Sequence, residues 1–270
     1  MPNVTVLMPV FNGEKYLRKA IDSILNQDYT NFEFLIINDG STDKSTKIIK
    51  SYNDKRIKLV NNPYNKGLVY SLNLGIEMAQ GKYIARMDCD DISLPSRLKK
   101  QVDLLEKTKY ALVASKIITI DKNGKELGLW VEDQRAITPE KIRSQLPKGN
   151  CLAHPSIMVR SNIIRKYLYN SNQNFYTEDY DLWLRMVSDG NNLGKVNEVL
   201  LKYRIHPLSW GSSTTSWLKR ARTRLNYLQI KIKQNKLKRF DLLVFIYMFP
   251  EVYNYVYGKV LDKLRSLWRK

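Results

Sequence analysis

Short, almost continuously apolar segments alternate with amphipathic ones through the first half of the chain. The runs Val4–Met8, Phe32–Ile37 and Tyr83–Met87 have the length of strands and carry few polar side chains. The elements predicted between them are, in order, helix 14–26, helix 44–52, strand 57–61 and helix 67–80. Apolar strands separated by helices are typical of a parallel sheet that is covered on both faces. The sequence therefore predicts a doubly wound α/β fold, in which ligands bind beyond the carboxyl ends of the strands.

The second half of the chain shows the same alternation less regularly. Its predicted elements are, in order, strand 111–120, helix 139–146, strand 156–159, helix 178–189 and strand 199–205. After the first of these strands, Asp121-Lys122-Asn123-Gly124 predicts a hairpin turn. We therefore expect one α/β domain over residues 1–213, with a mostly parallel sheet and helices on both faces.

The remaining segment, residues 214–270, differs from this domain in its charge. The 270-residue chain has a formal net charge of +19, and 214–270 holds 14 Lys and Arg against 3 Asp and Glu. A basic helix is predicted over 217–233, before an apolar run over 242–249 and an aromatic stretch over 252–257. This extension is either a helical hairpin packed on the domain or an element lying on an anionic membrane surface. We favour the membrane surface because the basic and aromatic residues occur together.

No segment of the sequence is expected to cross a membrane. Residues 4–10 are apolar but lack a basic leader, so a signal peptide is not predicted. Asp241 and Pro250 interrupt the apolar run near the C-terminus. Because two cysteines cannot form a disulfide framework, we expect a reducing environment. The expected location is the cytoplasm, peripheral on the inner face of the cell membrane.

The motif Asp88-Cys89-Asp90-Asp91 directly follows the strand predicted at 83–87. Side chains alternate along an extended chain, so Asp88 and Asp90 are expected on the same side. Carboxylates at the end of a buried strand cost free energy unless a cation binds them, and Mg²⁺ or Mn²⁺ prefers carboxylate and phosphate oxygens. Alternatively, Asp91 or Ser93 caps the following helix, but a cap needs one acidic residue and not three.

Polar clusters also follow the other predicted strands, at the edge of the sheet where the acidic motif lies. The candidate ligand-binding residues at this edge are Pro9, Val10, Asn12, Glu14, Asp39, Asn65, Lys66, Gly67, Arg86 and Asp88. Each cluster alone is explained by a turn or a helix cap. Together they predict a polar rim around an acidic metal site.

Three segments carry a resemblance to a known family: "PVFNGEKYLRKAIDSILNQDYTNFEFLIINDGSTDKS", "NKGLVYSLNLGIEMAQGKYIARMDCDD" and "TEDYDLWLRM". Over about residues 3–206 the sequence resembles the inverting glycosyltransferases of family two, which have the GT-A fold. The resemblance implies a nucleotide-sugar donor, expected to be a UDP-sugar, and Mn²⁺ or Mg²⁺ as cofactor. It also implies that the loop Pro9–Glu14 and Asp39 hold the base and ribose. Asp88 would face the ribose and sugar, and Asp90 would coordinate the metal.

An inverting transfer needs a base that takes the proton of the acceptor hydroxyl. One carboxylate suffices, because the metal stabilises the leaving diphosphate and no general acid is required. The segment 177–181 offers Asp179, which matches the base of the related enzymes, and Asp181 as a second candidate. The alternative is that these acids complement the dipole of the helix that follows.

The two histidines are assigned different roles. His206 matches a family position near the donor diphosphate, where a neutral imidazole can ligate the metal and an imidazolium can pair with phosphate. His154 precedes a predicted strand and is interpreted as structural or near the acceptor.

Other nucleotide enzymes are disfavoured by the loop after the first strand. The glycine-rich, Arg-containing loop of nucleotidylyltransferases, the Gly-x-Gly-x-x-Gly of dehydrogenases and the Walker loop are missing there. The competing hypothesis is a non-catalytic membrane or nucleic-acid-binding protein on the same fold, although nucleic-acid motifs are lacking. We therefore expect a metal-dependent hexosyl- or N-acetylhexosaminyltransferase that acts on a lipid-linked saccharide acceptor in surface polysaccharide synthesis.

Overall fold

The computed structural model describes residues 2–134, 136–171, 177–205 and 216–248, with the side chains of 216–219 left out. Its strands are β1 (Val4–Val10), β2 (Phe32–Asn38), β3 (Ile57–Asn61), β4 (Tyr83–Arg86), β5 (Ile92–Ser93), β6 (Leu112–Ile120), β7 (Glu126–Leu129), β8 (Met158–Arg160) and β9 (Leu193–Arg204). Its helices are α1 (Leu17–Leu25), α2 (Ser45–Lys50), α3 (Leu68–Met78), α4 (Arg97–Lys107), α5 (Pro139–Gln145), α6 (Ser161–Tyr167), α7 (Glu178–Ser188), α8 (Ser216–Lys233) and α9 (239–248). Short 3-10 helices lie at Val131–Gln134 and His154–Ser156.

The strands form one mixed sheet in the order β3-β2-β1-β4-β8-β6-β9-β5, and β7 pairs with β6 outside this path. β1 pairs in parallel with β2 and β4, β2 with β3, and β6 with β9. The pairs that involve β5, β7 or β8 are antiparallel. The predicted α/β fold with a mostly parallel sheet is confirmed. The register pairs Val10 with Asn38 and Asn38 with Asn61, so three strands end together at one edge.

Apolar side chains pack on both faces of the sheet, because alternate residues of a strand point to opposite faces. In β2, Leu35 and Ile37 belong to one core cluster, and Phe34 and Ile36 belong to the other. The second cluster includes the buried face of α1, whose residues recur at helical spacing: Leu17, Ala20, Ile21 and Ile24. Both faces of the central strands are therefore covered, as their near-continuous apolar sequence requires.

Two predicted strands differ from the observed ones at their starts. The strand predicted from Ser156 begins at Met158, because His154–Ser156 forms a 3-10 helix with proline at its first turn. β9 begins at Leu193, although the sequence predicts a strand only from Val199. The register between β6 and β9 shifts near Lys116, and the skipped residues 197 and 198 of β9 are exposed polar side chains. This bulge interrupts the apolar pattern that sequence reasoning follows.

The C-terminal helices α8 and α9 pack on the domain beside α7. Tyr227, Leu228, Phe240 and Val244 lie in the same core cluster as Trp183 of α7. Of the two interpretations of this extension, the helical hairpin packed on the domain is therefore observed for 216–248. Among the helices of the described residues, none combines the length and the hydropathy that a membrane span requires.

Candidate active site

Three carboxylates gather beyond the carboxyl end of β4. Oxygens of Asp88, Asp90 and Asp91 lie within 4.8 Å of one another. Asp91 is only 1% exposed, and one of its oxygens, Oδ1, accepts the backbone N–H of Arg204 at 2.8 Å. Its other oxygen, Oδ2, is buried without a hydrogen-bond partner. Burial, reinforced by the charges of Asp88 and Asp90, raises the pKa of Asp91 well above its usual range.

Arginine side chains hold this acidic cluster in place. Arg86, the last residue of β4, is buried and forms an ion pair with Asp88. Despite this partner, burial raises the pKa of Asp88, and the neighbouring Asp90 adds to the effect. Arg97 lies buried behind the cluster and donates to the Arg86 carbonyl at 2.6 Å, while Arg204 Nε donates to the Asp90 carbonyl at 2.7 Å. The strands β4 and β9 thus fix the backbone of the acidic motif from two sides.

The cluster fits a hard divalent cation. Carboxylate oxygens are the ligands that Mg²⁺ and Mn²⁺ prefer, and an unpartnered buried oxygen such as Asp91 Oδ2 is costly in the absence of a cation. The alternative role as a helix cap does not apply, because α4 begins at Arg97 with Ser96 at its N-cap. The residues present are therefore compatible with a metal site.

The loops after β1 and β2 are bonded to each other at the same edge of the sheet, next to Pro9 and Val10. Asn12, whose φ is +49°, accepts the Thr42 N–H at 2.9 Å and donates its own N–H to Ser41 Oγ at 3.0 Å. Glu14 Oε2 accepts the Lys44 N–H at 2.9 Å. These bonds shape a double loop whose rim includes two of the predicted donor-site residues, Asn12 and Glu14.

Asp39 joins this double loop to the start of α3. Its Oδ1 accepts the Lys66 N–H at 3.0 Å and the Asn62 amide at 2.7 Å, and its Oδ2 accepts the Gly67 N–H at 2.8 Å. Gly67 has a φ of +91°, a conformation that favours glycine. The predicted residues of the Asn65-Lys66-Gly67 turn therefore lie directly against Asp39.

Asp179 lies in the first turn of α7 and is oriented by two donors. Asn150 Nδ2 donates to its Oδ2 at 2.7 Å, and the Tyr180 N–H donates to its Oδ1 at 2.7 Å. Burial raises the pKa of Asp179, with a further rise from the charge of Glu178. A raised pKa makes this carboxylate a stronger base than an exposed aspartate.

His154 lies between Tyr169 and the start of α7. Its Nε2 lies 2.7 Å from Tyr169 Oη, and its Nδ1 lies 3.6 Å from Glu178 Oε1. Burial lowers the pKa of His154 to about 3, so the imidazole is neutral at physiological pH. The charges of Arg86, Asp179 and Asp88 also act on this pKa.

Other candidates lie elsewhere or outside the described residues. Asp181 is fully buried and pairs with Arg185 at 2.8 Å, and Arg185 donates in turn to the carbonyls of Tyr167 and Leu168. This arrangement ties α7 to the end of α6. His206, predicted to lie near the metal or diphosphate, is outside the described residues.

Sequence reasoning missed Asn150 and Tyr169 as members of this site. Asn150 is 29 residues from its partner Asp179, and Tyr169 is 15 residues from His154. Neither belongs to a motif with a spacing that points to chemistry. The one available signal is that the polar Asn150 lies four residues before His154.

Comparison with known proteins identifies the family. The profile described as "Glycosyl transferase family 2" matches residues 5–168. The O-antigen biosynthesis glycosyltransferase WbnJ of Escherichia coli is 36% identical over 79% of this chain and 84% of its own length. A second Escherichia coli protein, the UDP-Glc:alpha-D-GlcNAc-diphosphoundecaprenol beta-1,3-glucosyltransferase WfgD, is 30% identical over 80% of this chain and 83% of its own.

Solved structures have the same fold. TarS of S. aureus in complex with UDP-GlcNAc superimposes with a TM-score of 0.68 at 17% identity, over 84% of this chain and 66% of that one. The mannosyltransferase PcManGT of Pyrobaculum calidifontis, with GDP-Man and Mn²⁺, superimposes with a TM-score of 0.61 at 14% identity, over 100% of this chain and 81% of that one. Together with the acidic cluster, these matches establish a GT-A fold. The chain belongs to glycosyltransferase family 2.

Proposed function

We propose that this family 2 glycosyltransferase moves a sugar from a nucleotide-sugar to an acceptor hydroxyl with inversion at the anomeric carbon, using Asp179 as the base. The observation that carries this proposal is the partly buried Asp179, which is held by Asn150 at 2.7 Å and whose charge, like that of Asp88, acts on the buried His154. This arrangement supports a base and an acidic metal site on opposite sides of one reaction centre.

Asp179 would accept the proton of the acceptor hydroxyl. At the same time the hydroxyl oxygen would bond to the anomeric carbon, and the bond between that carbon and the diphosphate would break. One carboxylate is enough, since a departing diphosphate needs no proton. The buried, neutral His154 and Tyr169 would form a wall that excludes water from this side. Asp181 is less suited to this role, because its carboxylate is fully buried against Arg185.

We propose that Asp88, Asp90 and Asp91 hold a divalent cation, Mn²⁺ or Mg²⁺. Such a cation would neutralise the charge that develops on the leaving diphosphate. The unpartnered Asp91 Oδ2 and the short separations within the cluster support this assignment. The presence of Mn²⁺ in the structure of PcManGT adds support at the level of the fold.

The donor is proposed to be a UDP-hexose or UDP-N-acetylhexosamine, held by the double loop of Asn12 and Glu14 and by the Asp39 region. The name of WfgD specifies UDP-Glc, and TarS was solved with UDP-GlcNAc. The acceptor is proposed to be a lipid-linked saccharide used for a surface polysaccharide, by likeness to WbnJ and WfgD. Such an acceptor would keep the enzyme at the inner face of the cell membrane.

The test is binding and slow hydrolysis of a panel of nucleotide-sugars, with Mn²⁺, with Mg²⁺ and with a chelator. We expect one UDP-sugar to bind and to hydrolyse only with metal. Once an acceptor is known, Asp179→Asn should keep donor binding and lower kcat about 10²- to 10⁴-fold. In contrast, Asp90→Asn should lose metal-dependent donor binding.

Asp181→Asn serves as the comparison for the base. Near-normal turnover in Asp179→Asn, with turnover lost in a folded Asp181→Asn protein, would transfer the role of base to Asp181. If no nucleotide-sugar binds with or without metal, the competing hypothesis of a non-catalytic membrane or nucleic-acid-binding protein gains support.

A further inference from the structure

The solvent-facing side of α9 is apolar. Leu242, Leu243 and Ile246 are 58%, 43% and 56% exposed, and Tyr247 beside them is 37% exposed. After Arg239, the described residues of this helix show only apolar or aromatic side chains to solvent. Singly exposed apolar residues are common, but a cluster of this kind marks an interaction surface.

The opposite side of α9 is already occupied by the protein. Phe240, Val244 and Met248 recur at helical spacing and are buried, and Asp241 accepts a hydrogen bond from the buried Tyr227 Oη. The helix is therefore fixed in its orientation by core contacts. Its exposed apolar face is presented to solvent by a rigid support.

Basic side chains surround this face. Lys233 at the end of α8, Lys236 in the turn and Arg239 at the start of α9 are exposed, whereas Lys238 pairs with Asp189 at 3.6 Å. On another side, Lys148 places its Nζ 5.4 Å from the ring centre of Tyr247. An apolar patch rimmed by positive charge is complementary to a bilayer with anionic headgroups, where Lys and Arg meet phosphates and apolar side chains enter the interface.

We propose that the exposed face of α9, with its basic rim, docks on an anionic membrane surface and turns the Asp179 side of the active site toward it. Two contacts link this face to Asp179. Lys148, whose ammonium lies against the ring of Tyr247, is two residues before Asn150, the hydrogen-bond donor to Asp179. Arg224 donates to the Tyr247 carbonyl at 3.5 Å and to Tyr180 Oη at 2.9 Å.

This orientation has a consequence for the acceptor. A lipid-linked saccharide remains anchored in the bilayer, so the base must face the membrane for the acceptor hydroxyl to reach it. This part of the inference rests on the proposed function, whereas the docking itself rests on α9 and its basic rim alone.

The experiment is co-sedimentation of the full chain with vesicles of phosphatidylcholine, with and without phosphatidylglycerol. We expect binding to the phosphatidylglycerol vesicles, lost in high salt because exposed charges are then screened. The variant Leu242→Ser/Leu243→Ser/Ile246→Ser should bind at least tenfold more weakly. Lys236→Gln/Arg239→Gln should bind roughly 30-fold more weakly, since each basic residue contributes about fivefold.

Leu127→Ser/Leu129→Ser on β7 is the matched control, because these leucines are 57% and 51% exposed on a strand that pairs with β6. Its vesicle binding should equal that of the wild type. The proposal would be overturned if the α9 triple variant bound vesicles as strongly as the wild type. It would also be overturned if the wild type did not bind vesicles. A third outcome is a wild type that dimerises but does not bind vesicles, with the dimer lost in the triple variant. That result would assign the face to a second copy of the chain and overturn the proposal.

Donor hydrolysis, measured on the same proteins without vesicles, separates the two hypotheses. The triple variant should hydrolyse the donor at the wild-type rate, since α9 contributes no residue to the donor site. Vesicle binding by a protein that binds no nucleotide-sugar would leave the docking face standing and reject the proposed function.

Discussion

At the scale of single residues, the amide of Asn150 decides how Asp179 is held. Asn150 Oδ1 accepts the Leu152 N–H at 3.1 Å, which leaves its Nδ2 to donate to Asp179 at 2.7 Å. This donor stabilises the ionised carboxylate and opposes the rise in pKa that burial causes. Since the proposed base must be ionised to act, we expect activity to fall as the pH drops through the pKa of Asp179.

We therefore predict that Asn150→Ala raises the pKa of Asp179 further and moves the acidic limb of the kcat profile to higher pH. A hydrogen bond to a charged group is worth roughly 1.5–3 kcal/mol, so kcat should fall about tenfold to a hundredfold. Donor binding should be unchanged. Asn191→Ala, which removes a partly buried amide bonded to Tyr167 Oη and the Met186 carbonyl, is the control. An unshifted limb in Asn150→Ala would make Asn150 a structural residue only.

The same residues show how far the sequence predicts the candidate site. Asp88 and Asp90 are proposed from the sequence because acids that follow a buried strand exceed what a helix cap needs, whereas the choice of Asp179 comes from the family resemblance. Asn150 and Tyr169 are not predictable, because their roles arise from contacts across the fold. Asp91 was expected only as a possible cap, and its burial with an unpartnered oxygen is visible in the structure alone.

At the scale of elements, the long apolar strands and amphipathic helices of the first half follow from sequence patterns. Strand β9 is the exception, because its start contains Lys195 and the exposed bulge at residues 197–198. Lys195 is fully buried in an ion pair with Asp133, at 2.7 Å, and also donates to the Cys151 carbonyl at 2.8 Å. A buried lysine in a strand is rare, so the pattern of apolar residues cannot reveal it.

This ion pair fixes the bulged junction of β6 and β9, since Asp133 Oδ2 also accepts the Ile117 N–H at 2.8 Å. Lys195→Met should leave a buried, uncompensated carboxylate and lower the free energy of unfolding by about 3–5 kcal/mol. The free energy of unfolding that Lys195→Met loses should be smaller at acidic pH. Burial raises the pKa of Asp133, and its protonation removes the uncompensated charge.

Urea unfolding of Lys195→Met and of the double variant Asp133→Asn/Lys195→Met measures this effect. The double variant should regain much of the loss, because its side-chain amide keeps an acceptor for the Ile117 N–H without the charge. Lys202→Met, which removes a half-exposed partner of Glu126, should cost about 1 kcal/mol or less. Equal losses for the single and double variants would assign the effect to packing and not to charge.

At the scale of the whole molecule, the fold concentrates negative charge at one edge of a sheet within a strongly basic protein. The net charge of +19 is visible from composition, but its division between a buried acidic centre and a basic C-terminal rim depends on packing. The helices α8 and α9 illustrate this point. Their sequence suits both a hairpin on the domain and a membrane face, and the structure shows that α9 has one apolar side buried on the domain and another exposed to solvent.

A cation bound at the proposed site of Asp88, Asp90 and Asp91 would also stabilise the whole chain. Mn²⁺ at a hundredfold excess over its Kd should add about 2.7 kcal/mol, which raises the melting temperature of a chain of this size by roughly 5–10 °C. Asp90→Asn should lose this response, yet without metal it should be at least as stable as the wild type, because one of three repelling carboxylates is neutral. Thermal unfolding with a chelator and with Mn²⁺ measures both effects. Asp103→Asn, at an exposed site on α4, should respond to Mn²⁺ as the wild type does. A full Mn²⁺ response in Asp90→Asn would place the cation away from the acidic cluster.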